Sequence, residues 1–453
     1  MEFLSPGRAV DATGTAEAGH VQVFAVVELD AVILAEDPLA RVRIAGLPAV
    51  ERAVRVARKV GATRVTIIRS SDDRANLVAW RANRTGPLLV IRADQLVHTP
   101  LVQPLVAALP AEGLVAAVGP VGDLTVYAGA FAATGAATKL SLDALAAGTP
   151  DTEVVAGATP VRHGDIACAS IATPAERRAA HRLLYKILIK PQDNAITRHL
   201  YRPVSFPLTR LLVWTPITPN QISYLVATLV AIGCWITATR SPLAGTLVVL
   251  AASYLDCCDG EVARVKLLSS RFGAWIDTIV DELSSVGYMV ALGWYCERVL
   301  GPSYLGALPF DPWKAGIALG VVTYLWSVYC IYYNIIVAVG SANSQDYVGR
   351  FEVAPGKEPS SVRLVPVAAK AIATTRELPP VLAWMATYLP YAVRRDFLSW
   401  AAVAFVAAGL EHVMFVGLVA GGVVTGVIVS IDHARLRSLR RSCARRGLVV
   451  EAP

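Results

Sequence analysis

Residues 253–285 read SYLDCCDGEVARVKLLSSRFGAWIDTIVDELSS, and apolar sequence runs on both sides of them. A carboxylate in a bilayer core costs about 2.5–3.5 kcal/mol on insertion scales, so an intramembrane acid calls for a partner. Four aspartates stand here. Asp256 and Asp259 are three apart and Asp277 and Asp281 four apart. Either spacing puts both acids of a pair on one face of a helix. Two consecutive helices joined by a short loop can turn those faces toward each other, so that four carboxylates converge. They cannot all ionise there without cations. Oxygen donors with no His or Cys among them favour Mg²⁺, Mn²⁺ or Ca²⁺ over zinc, and two such ions suit displacement at phosphorus. Cys257 and Cys258 are expected to be small packing residues, since soft thiolates fit poorly beside hard-metal carboxylates.

The flanking sequence supplies the membrane. Apolar residues make up 55% of the 453-residue chain, and the mean hydropathy is +0.50. They are unevenly spread, which divides the chain into a soluble part and a membrane part. Runs of about twenty apolar residues can cross a bilayer as helices. Six candidates follow, at about 221–239, 243–265, 273–298, 313–339, 396–411 and 412–432. Arg264, Lys266 and Arg271, the basic residues between the fourth and fifth runs, and the six arginines of RLRSLRRSCARR (435–446) all fall on one side. By the positive-inside rule that side is cytoplasmic, and so are both termini. The net charge of +7 gathers near these membrane edges, which favours lipid headgroups or phosphorylated substrates over nucleic acid. Seven cysteines without repeated CxxC spacing argue against a disulfide framework or a structural zinc.

Ahead of the first run, residues 193–214 mix Arg198, Arg202 and Arg210 with Leu, Tyr, Phe and Trp, as an interfacial helix or a plain connecting helix would. TPITPNQIS (215–223) then breaks the chain: Pro219 is expected to stop one helix, and Asn220 or Ser223 to begin the next. Residues 341–394 are polar and are expected to hold a cytoplasmic helix or two.

Residues 21–188 alternate short apolar strands with helical stretches. VQVFAVVEL, DAVILA, TRVTIIR and PLLVIRAD read as strands and LPAVERAVRVARKVGA as an amphipathic helix. This is the rhythm of βαβ units and of a Rossmann-type parallel sheet. The expected organisation is a flexible leader (1–20) rather than a signal peptide, an α/β domain (21–188), a junction (189–220), an all-α six-helix membrane domain (221–435) and a basic tail (436–453).

Taken alone, intramembrane acids also line transporter pores or form inter-helix salt bridges. The full spacing is more specific. It reads Asp256-x2-Asp259-Gly260-x2-Ala263-Arg264-x8-Gly273-x3-Asp277-x3-Asp281, eight fixed residues over 26 positions. This pattern resembles, without departure, the signature of the CDP-alcohol phosphotransferase (CDP-alcohol phosphatidyltransferase) family. An aspartate-rich membrane prenyltransferase would instead separate two acidic clusters by about a hundred residues.

The resemblance implies an enzyme that moves a phosphoalcohol or phosphatidyl group from a CDP-linked donor to a hydroxyl acceptor, with release of CMP. It implies that Asp256, Asp259 and Asp277 hold two divalent cations, Mg²⁺ or Mn²⁺. Asp281 would complete the cage and take the acceptor's proton. The CDP site would be built from Asp256, Asp259, Gly260, Ala263, Arg264, Gly273 and Asp277, with TPNQIS beside it. Family members commonly pair as homodimers in the membrane. Lys190, Arg198, Arg202, Arg394 and Arg395 are candidates to receive an acceptor phosphate.

A soluble domain followed by KPQDNAITRHLYRPVS (190–205) resembles the bifunctional branch that fuses an inositol-1-phosphate cytidylyltransferase to a di-myo-inositol-phosphate-phosphate synthase. The soluble domain looks nucleotidyltransferase-like, with Asp94 as its metal aspartate. Two departures point to lost catalysis. EDPLAR (36–41) stands where a glycine-rich phosphate loop is expected, and Ser170-Ile171-Ala172-Thr173-Pro174 lacks both acids of a D-x-D-T-P pattern. The alternatives are a bifunctional enzyme that also makes the CDP-alcohol from CTP, or a non-catalytic scaffold or transporter.

Overall fold

The computed structural model describes residues 28–82, 84–121, 124–189, 195–304, 306, 308–341, 346–356, 358, 360–367 and 394–451. Chain contacts divide it into two compact units. The first takes in the chain to Val42 and Ala49–Ala172, and the second Arg43–Pro48 and the chain from Thr173. Lys190 and the expected leader lie outside the described residues.

The first unit is an α/β layer structure. Strands β1 (Leu29–Leu34), β2 (Ala62–Ile68), β3 (Leu88–Arg92), β4 (Gly113–Val121), β5 (Leu124–Thr134) and β6 (Thr159–Arg162) form one sheet in the order β2-β1-β3-β5-β4-β6. The pairs β1/β2, β1/β3 and β4/β6 are parallel, whereas β3/β5 and β4/β5 are antiparallel. The sheet is therefore mixed, where sequence reading expected a parallel one. The difference lies at β4 and β5, which are consecutive in the chain and pair antiparallel, so no helical crossover joins them. Helix α1 (Ala49–Lys59) buries Ala53, Val56 and Ala57, and Val32, Val90 and Phe131 stand fully buried in the core. Gln95–Val97 pairs antiparallel with Cys168–Ser170, which sets Ser170 opposite Gln95.

The second unit is helical. Among the described residues, and leaving aside helices of fewer than nine residues, the helices after α1 are α2 (Thr99–Ala107) and α3 (Ala136–Ala146) in the first unit. The second holds α4 (Pro174–Tyr185), α5 (Arg202–Leu212), α6 (Pro219–Thr239), α7 (Pro242–Val265), α8 (Arg271–Leu300), α9 (Pro312–Asn334), α10 (Arg395–Ala407) and α11 (Glu411–Arg445). A recurrent start signal explains their entry points. Thr218, Ser241 and Asp311 each cap a helix whose first residue is proline, and Ser270 caps α8 through the Gly273 amide. Pro219 thus begins α6 rather than ending the helix before it. A capping box between Thr218 and Gln221 sets the entry, because proline at the first position gives up an amide that has no partner there anyway.

Among the described residues, four helical stretches are long and apolar enough to cross a membrane: Pro219–Thr239, Pro242–Val265, Pro312–Val339 and Glu411–Arg445. The other two expected spans have physical reasons to differ. Helix α8 carries Asp277, Asp281 and Glu282 in its first half. Helix α10 has thirteen residues, about 20 Å of helix against a hydrocarbon core of about 30 Å. Helices α6 and α7 pack closely, and a Cβ at Gly233 would stand 2.7 Å from Val249 and 3.0 Å from the Gly245 carbonyl oxygen. Leu292, Trp313, Met414 and Phe415 join α8, α9 and α11 in one apolar core.

Within the segment 341–394, for which a helix or two was expected, β7 (Phe351–Pro355) and β8 (Ser361–Pro366) pair antiparallel. Residues 368–393 of that segment lie outside the described residues. The tail is ordered too. Helix α11 continues thirteen residues past 432, and Val449–Val450 then pairs parallel with β8.

Candidate metal and nucleotide site

The motif residues sit at the adjoining ends of α7 and α8. One carboxylate oxygen from each of Asp256, Asp259 and Asp277 lies within 4.8 Å of the others. Asp256 and Asp277 are half-buried, and Asp259 is 5% exposed. Three acids this close repel one another, and burial raises the cost of charging each. The donor set is all oxygen, so it fits hard divalent cations. Asp281, one turn beyond Asp277, is held to the same cluster through Arg395. The Arg395 guanidinium contacts Asp281, and its Nη1 lies 3.6 Å from Asp256 Oδ2.

Asp259 is fixed from outside. Ser223 on α6 donates its hydroxyl to Asp259 Oδ2 at 2.6 Å, and the Gly260 amide donates to Oδ1. Both glycines of the motif face space that a side chain would narrow. A Cβ at Gly260 would stand 3.3 Å from Arg264 Nη1, and one at Gly273 would stand 3.0 Å from Asn220 Oδ1. Arg264 therefore lies across Gly260, one turn on, and Asn220 of TPNQIS lies beside Gly273. Ala263 is half-buried on α7.

The loop before α6 is pinned by Lys266, which sequence reading placed among the cytoplasmic charges. It is 6% exposed and donates to the carbonyl oxygens of Thr215, at 2.6 Å, and Ile217, at 3.2 Å. Neither Ser223 nor Lys266 was singled out for its part in the site. Both sit within short reach of the motif, but their partners are 36 and 51 residues away in sequence.

The acceptor candidates separate. Arg395 reaches the aspartates, while Arg394 lies 3.5 Å from Asp396. Arg202 contacts Glu261, which stands fully buried on α7, and packs over the Phe206 ring. Arg198 is exposed in the π-helical turn Thr197–Tyr201. That turn is tied to the start of α10, with Thr197 donating to Asp396 at 2.8 Å.

In the first unit, Asp94 is engaged by the Arg92 guanidinium and Glu36 by Arg74. Where a phosphate loop was expected, Pro38–Arg41 forms a single tight turn, and Asp37 caps it by accepting from the Leu39 amide at 2.7 Å.

Comparison with known proteins covers the same part of the chain. Residues 216–407 match the family model described as CDP-alcohol phosphatidyltransferase. Among curated proteins, the chain is 36% identical over 123 residues to a bifunctional IPC transferase and DIPP synthase of Thermococcus kodakarensis, covering 27% of this chain and 28% of that one. It is 38% identical over 142 residues to a protein of the same name from Rubrobacter xylanophilus, covering 30% and 32%. It is 34% identical over 82 residues to a CDP-diacylglycerol–inositol 3-phosphatidyltransferase of Drosophila melanogaster, covering 18% and 36%. The matches span about a third of the length of these relatives.

Proposed function

From the match of residues 216–407 to the CDP-alcohol phosphatidyltransferase family model, we propose that this chain transfers a phosphoalcohol or phosphatidyl group from a CDP-linked donor to a hydroxyl acceptor, releasing CMP. The observation that carries this reading is the meeting of Asp256, Asp259 and Asp277 on two adjoining helices, inside a complete family motif.

Asp256, Asp259 and Asp277 would hold the divalent cations, with Asp281 completing the set. When bound, two such ions neutralise the diphosphate and polarise its β-phosphorus. Gly260 and Gly273 leave the wall open for the cytidine, with Arg264 and Asn220 at its edge. The acceptor oxygen attacks the β-phosphorus, the bond from that phosphorus to the bridging oxygen breaks, and CMP leaves with the electron pair. Asp281 is the carboxylate that takes the acceptor's proton. Arg395, in contact with Asp281, is placed to hold an acceptor phosphate so that the hydroxyl meets that base. Positioning and charge supply most of what phosphoryl transfer needs.

We read α6 to α11 as a six-helix membrane domain, with both the first unit and the basic end of α11 on the cytoplasmic side, and expect it to pair as a homodimer. The first unit is proposed as a nucleotidyltransferase-like domain without catalysis. Supporting this are the engagement of Asp94 by Arg92, the capped turn at 38–41, and Ser170 in the register beside Gln95, where an acid would be required. The relatives named bifunctional IPC transferase and DIPP synthase and CDP-diacylglycerol–inositol 3-phosphatidyltransferase make inositol or its phosphate the first acceptor to test.

The test is CMP release by purified full-length protein with Mg²⁺ or Mn²⁺. CDP-inositol and CDP-diacylglycerol are offered in turn, each with inositol phosphate, glycerol phosphate and inositol. Release with one pair, reduced about 10²-fold or more in Asp281→Asn, is the expected result. No release with any pair, together with no binding of labelled CDP, would leave the protein a scaffold.

A further inference from the structure

Glu261 follows the motif residue Gly260, and no metal or nucleotide role falls to it. It is fully buried on α7, yet both of its carboxylate oxygens are occupied. Arg202 and the Ser205 hydroxyl, at 2.9 Å, donate to Oε1, and the Thr209 hydroxyl donates to Oε2 at 2.6 Å. All three donors lie on α5. Arg202, Ser205 and Thr209 follow an i, i+3, i+7 spacing, which forms one stripe along a helix. Ser205 and Thr209 are fully buried, and Arg202 is 9% exposed.

The opposite face of this short helix has the reverse character. Val204 and Leu211 of α5, with Leu200 in the turn before it and Trp214 just past its end, are all exposed, and the two helix residues lie roughly half a turn from the first stripe. Polar groups turn inward and apolar groups outward, as suits a helix lying in a lipid interface. Such a helix gets little register from its apolar side, because lipid is a fluid surface. Its register comes from Glu261.

The same contact works in the other direction. Asp259 and Glu261 are two residues apart, so they leave α7 on different sides. Ser223 of α6 holds the first and α5 holds the second. The turn that carries Asp256, Asp259 and Gly260 is gripped from both flanks. A well-packed apolar side chain would join α5 to α7 about as firmly as a buried ion pair does, so cohesion alone does not account for the charge. We propose that Glu261 is a positioning residue for the aspartate site, fixing the rotation of α7 through Arg202, Ser205 and Thr209 of α5. This rests on the proposed function for its kinetic consequence, but not for its effect on metal binding.

The experiment compares wild type, Glu261→Gln, Glu261→Met and the double variant Ser205→Ala/Thr209→Val, as full-length protein in lipid nanodiscs. Mn²⁺ affinity is read by electron paramagnetic resonance, and kcat and donor KM by CMP release. The expected result is a drop of about 10-fold in Mn²⁺ affinity or kcat, the low end of what loss of a direct hydrogen bond to a metal ligand costs, because Glu261 acts through the orientation of α7, with donor KM changed far less. Glu261→Met is expected to fall with Glu261→Gln, because packing without an acceptor does not restore the rotation. Where the Glu261 variants fail to fold, the hydroxyl variant decides, since it keeps the ion pair. Folded variants with wild-type Mn²⁺ affinity and kcat overturn the inference, as does a fully active Glu261→Met. A wild type that binds Mn²⁺ but releases no CMP sinks the proposed reaction, and the Mn²⁺ affinities still decide the role of Glu261.

Discussion

Ser223 donates its hydroxyl to Asp259 across the α6–α7 interface, so the most buried of the clustered aspartates has one lone pair already directed before any cation arrives. Groups in this position orient a metal ligand and are costly to remove. Ser223→Ala is expected to weaken metal activation of CMP release about 10-fold or more. A Mn²⁺ titration of initial rates checks this, and an unchanged activation constant would show that Asp259 needs no outside support.

Arg395 contacts Asp281 and stands near Asp256, and it is the cation we propose for the phosphate of a phosphorylated acceptor. Charge-assisted contacts of this kind are worth about 1.5–3 kcal/mol, or about 10- to 150-fold. In Arg395→Ala, KM for a phosphorylated acceptor should rise by that range while donor KM stays near wild type. Arg395→Lys should recover only part of the loss, because lysine lacks the planar fork. An equal change in both KM values would mean that Arg395 serves the aspartates alone.

The first unit should not make a CDP-alcohol. Full-length protein given CTP, Mg²⁺ and inositol 1-phosphate is expected to release no pyrophosphate, because Asp94 is engaged by Arg92 and the strand facing the next residue, Gln95, presents Ser170 rather than an acid. Pyrophosphate formation that vanishes in Asp94→Asn would restore the bifunctional reading.

His98 gives the first unit an acid limit. Burial pushes its imidazole down to about 4 from an ordinary 6.5, with Arg52 and Lys59 adding repulsion. Neither ring nitrogen has a hydrogen-bond partner among the described residues. The unfolded chain therefore binds the proton more readily between those values. Stability is fully present above about pH 6.5 and is lost as pH falls toward 4, by on the order of 3 kcal/mol. Hydrogen exchange over Leu88–Arg92 and Thr99–Ala107 at pH 7 and pH 5 measures it. His98→Leu should remove most of the difference that wild type shows between the two.

The four aspartates were legible because their spacing is local: i, i+3 and i, i+4 fix a helix face whatever surrounds it. Helix entries at Ser241-Pro242 and Asp311-Pro312 belong to the same kind of signal. Pro219 was misread for want of its neighbour, since the capping box of Thr218 and Gln221 decides which way a proline punctuates. Glu261 and Lys266 looked like ordinary charges beside a membrane. Their roles depend on α5 and on the loop before α6, which only tertiary packing brings to them. The antiparallel pair β4/β5 and the hairpin β7/β8 were hidden for a related reason. β4 and β5 are near-continuous apolar runs, GLVAAVGPV and LTVYAGAFAAT, and such runs do not separate a crossover strand from a returning one, while β7 and β8 are only five and six residues long.

The pairing of Val449–Val450 with β8 has a bearing on biosynthesis. Ser361 and Glu451 lie 90 residues apart and share a hydrogen bond at 2.5 Å, while the Glu451 amide donates to Val362 at 2.9 Å. During translation the hairpin leaves the ribosome long before its third strand exists, and α10 and α11 are made in between. The small sheet cannot close until residues 449–451 have been synthesised and α11 has taken its place. Until then one edge of β8 is open to whatever other strand the nascent chain or its neighbours present.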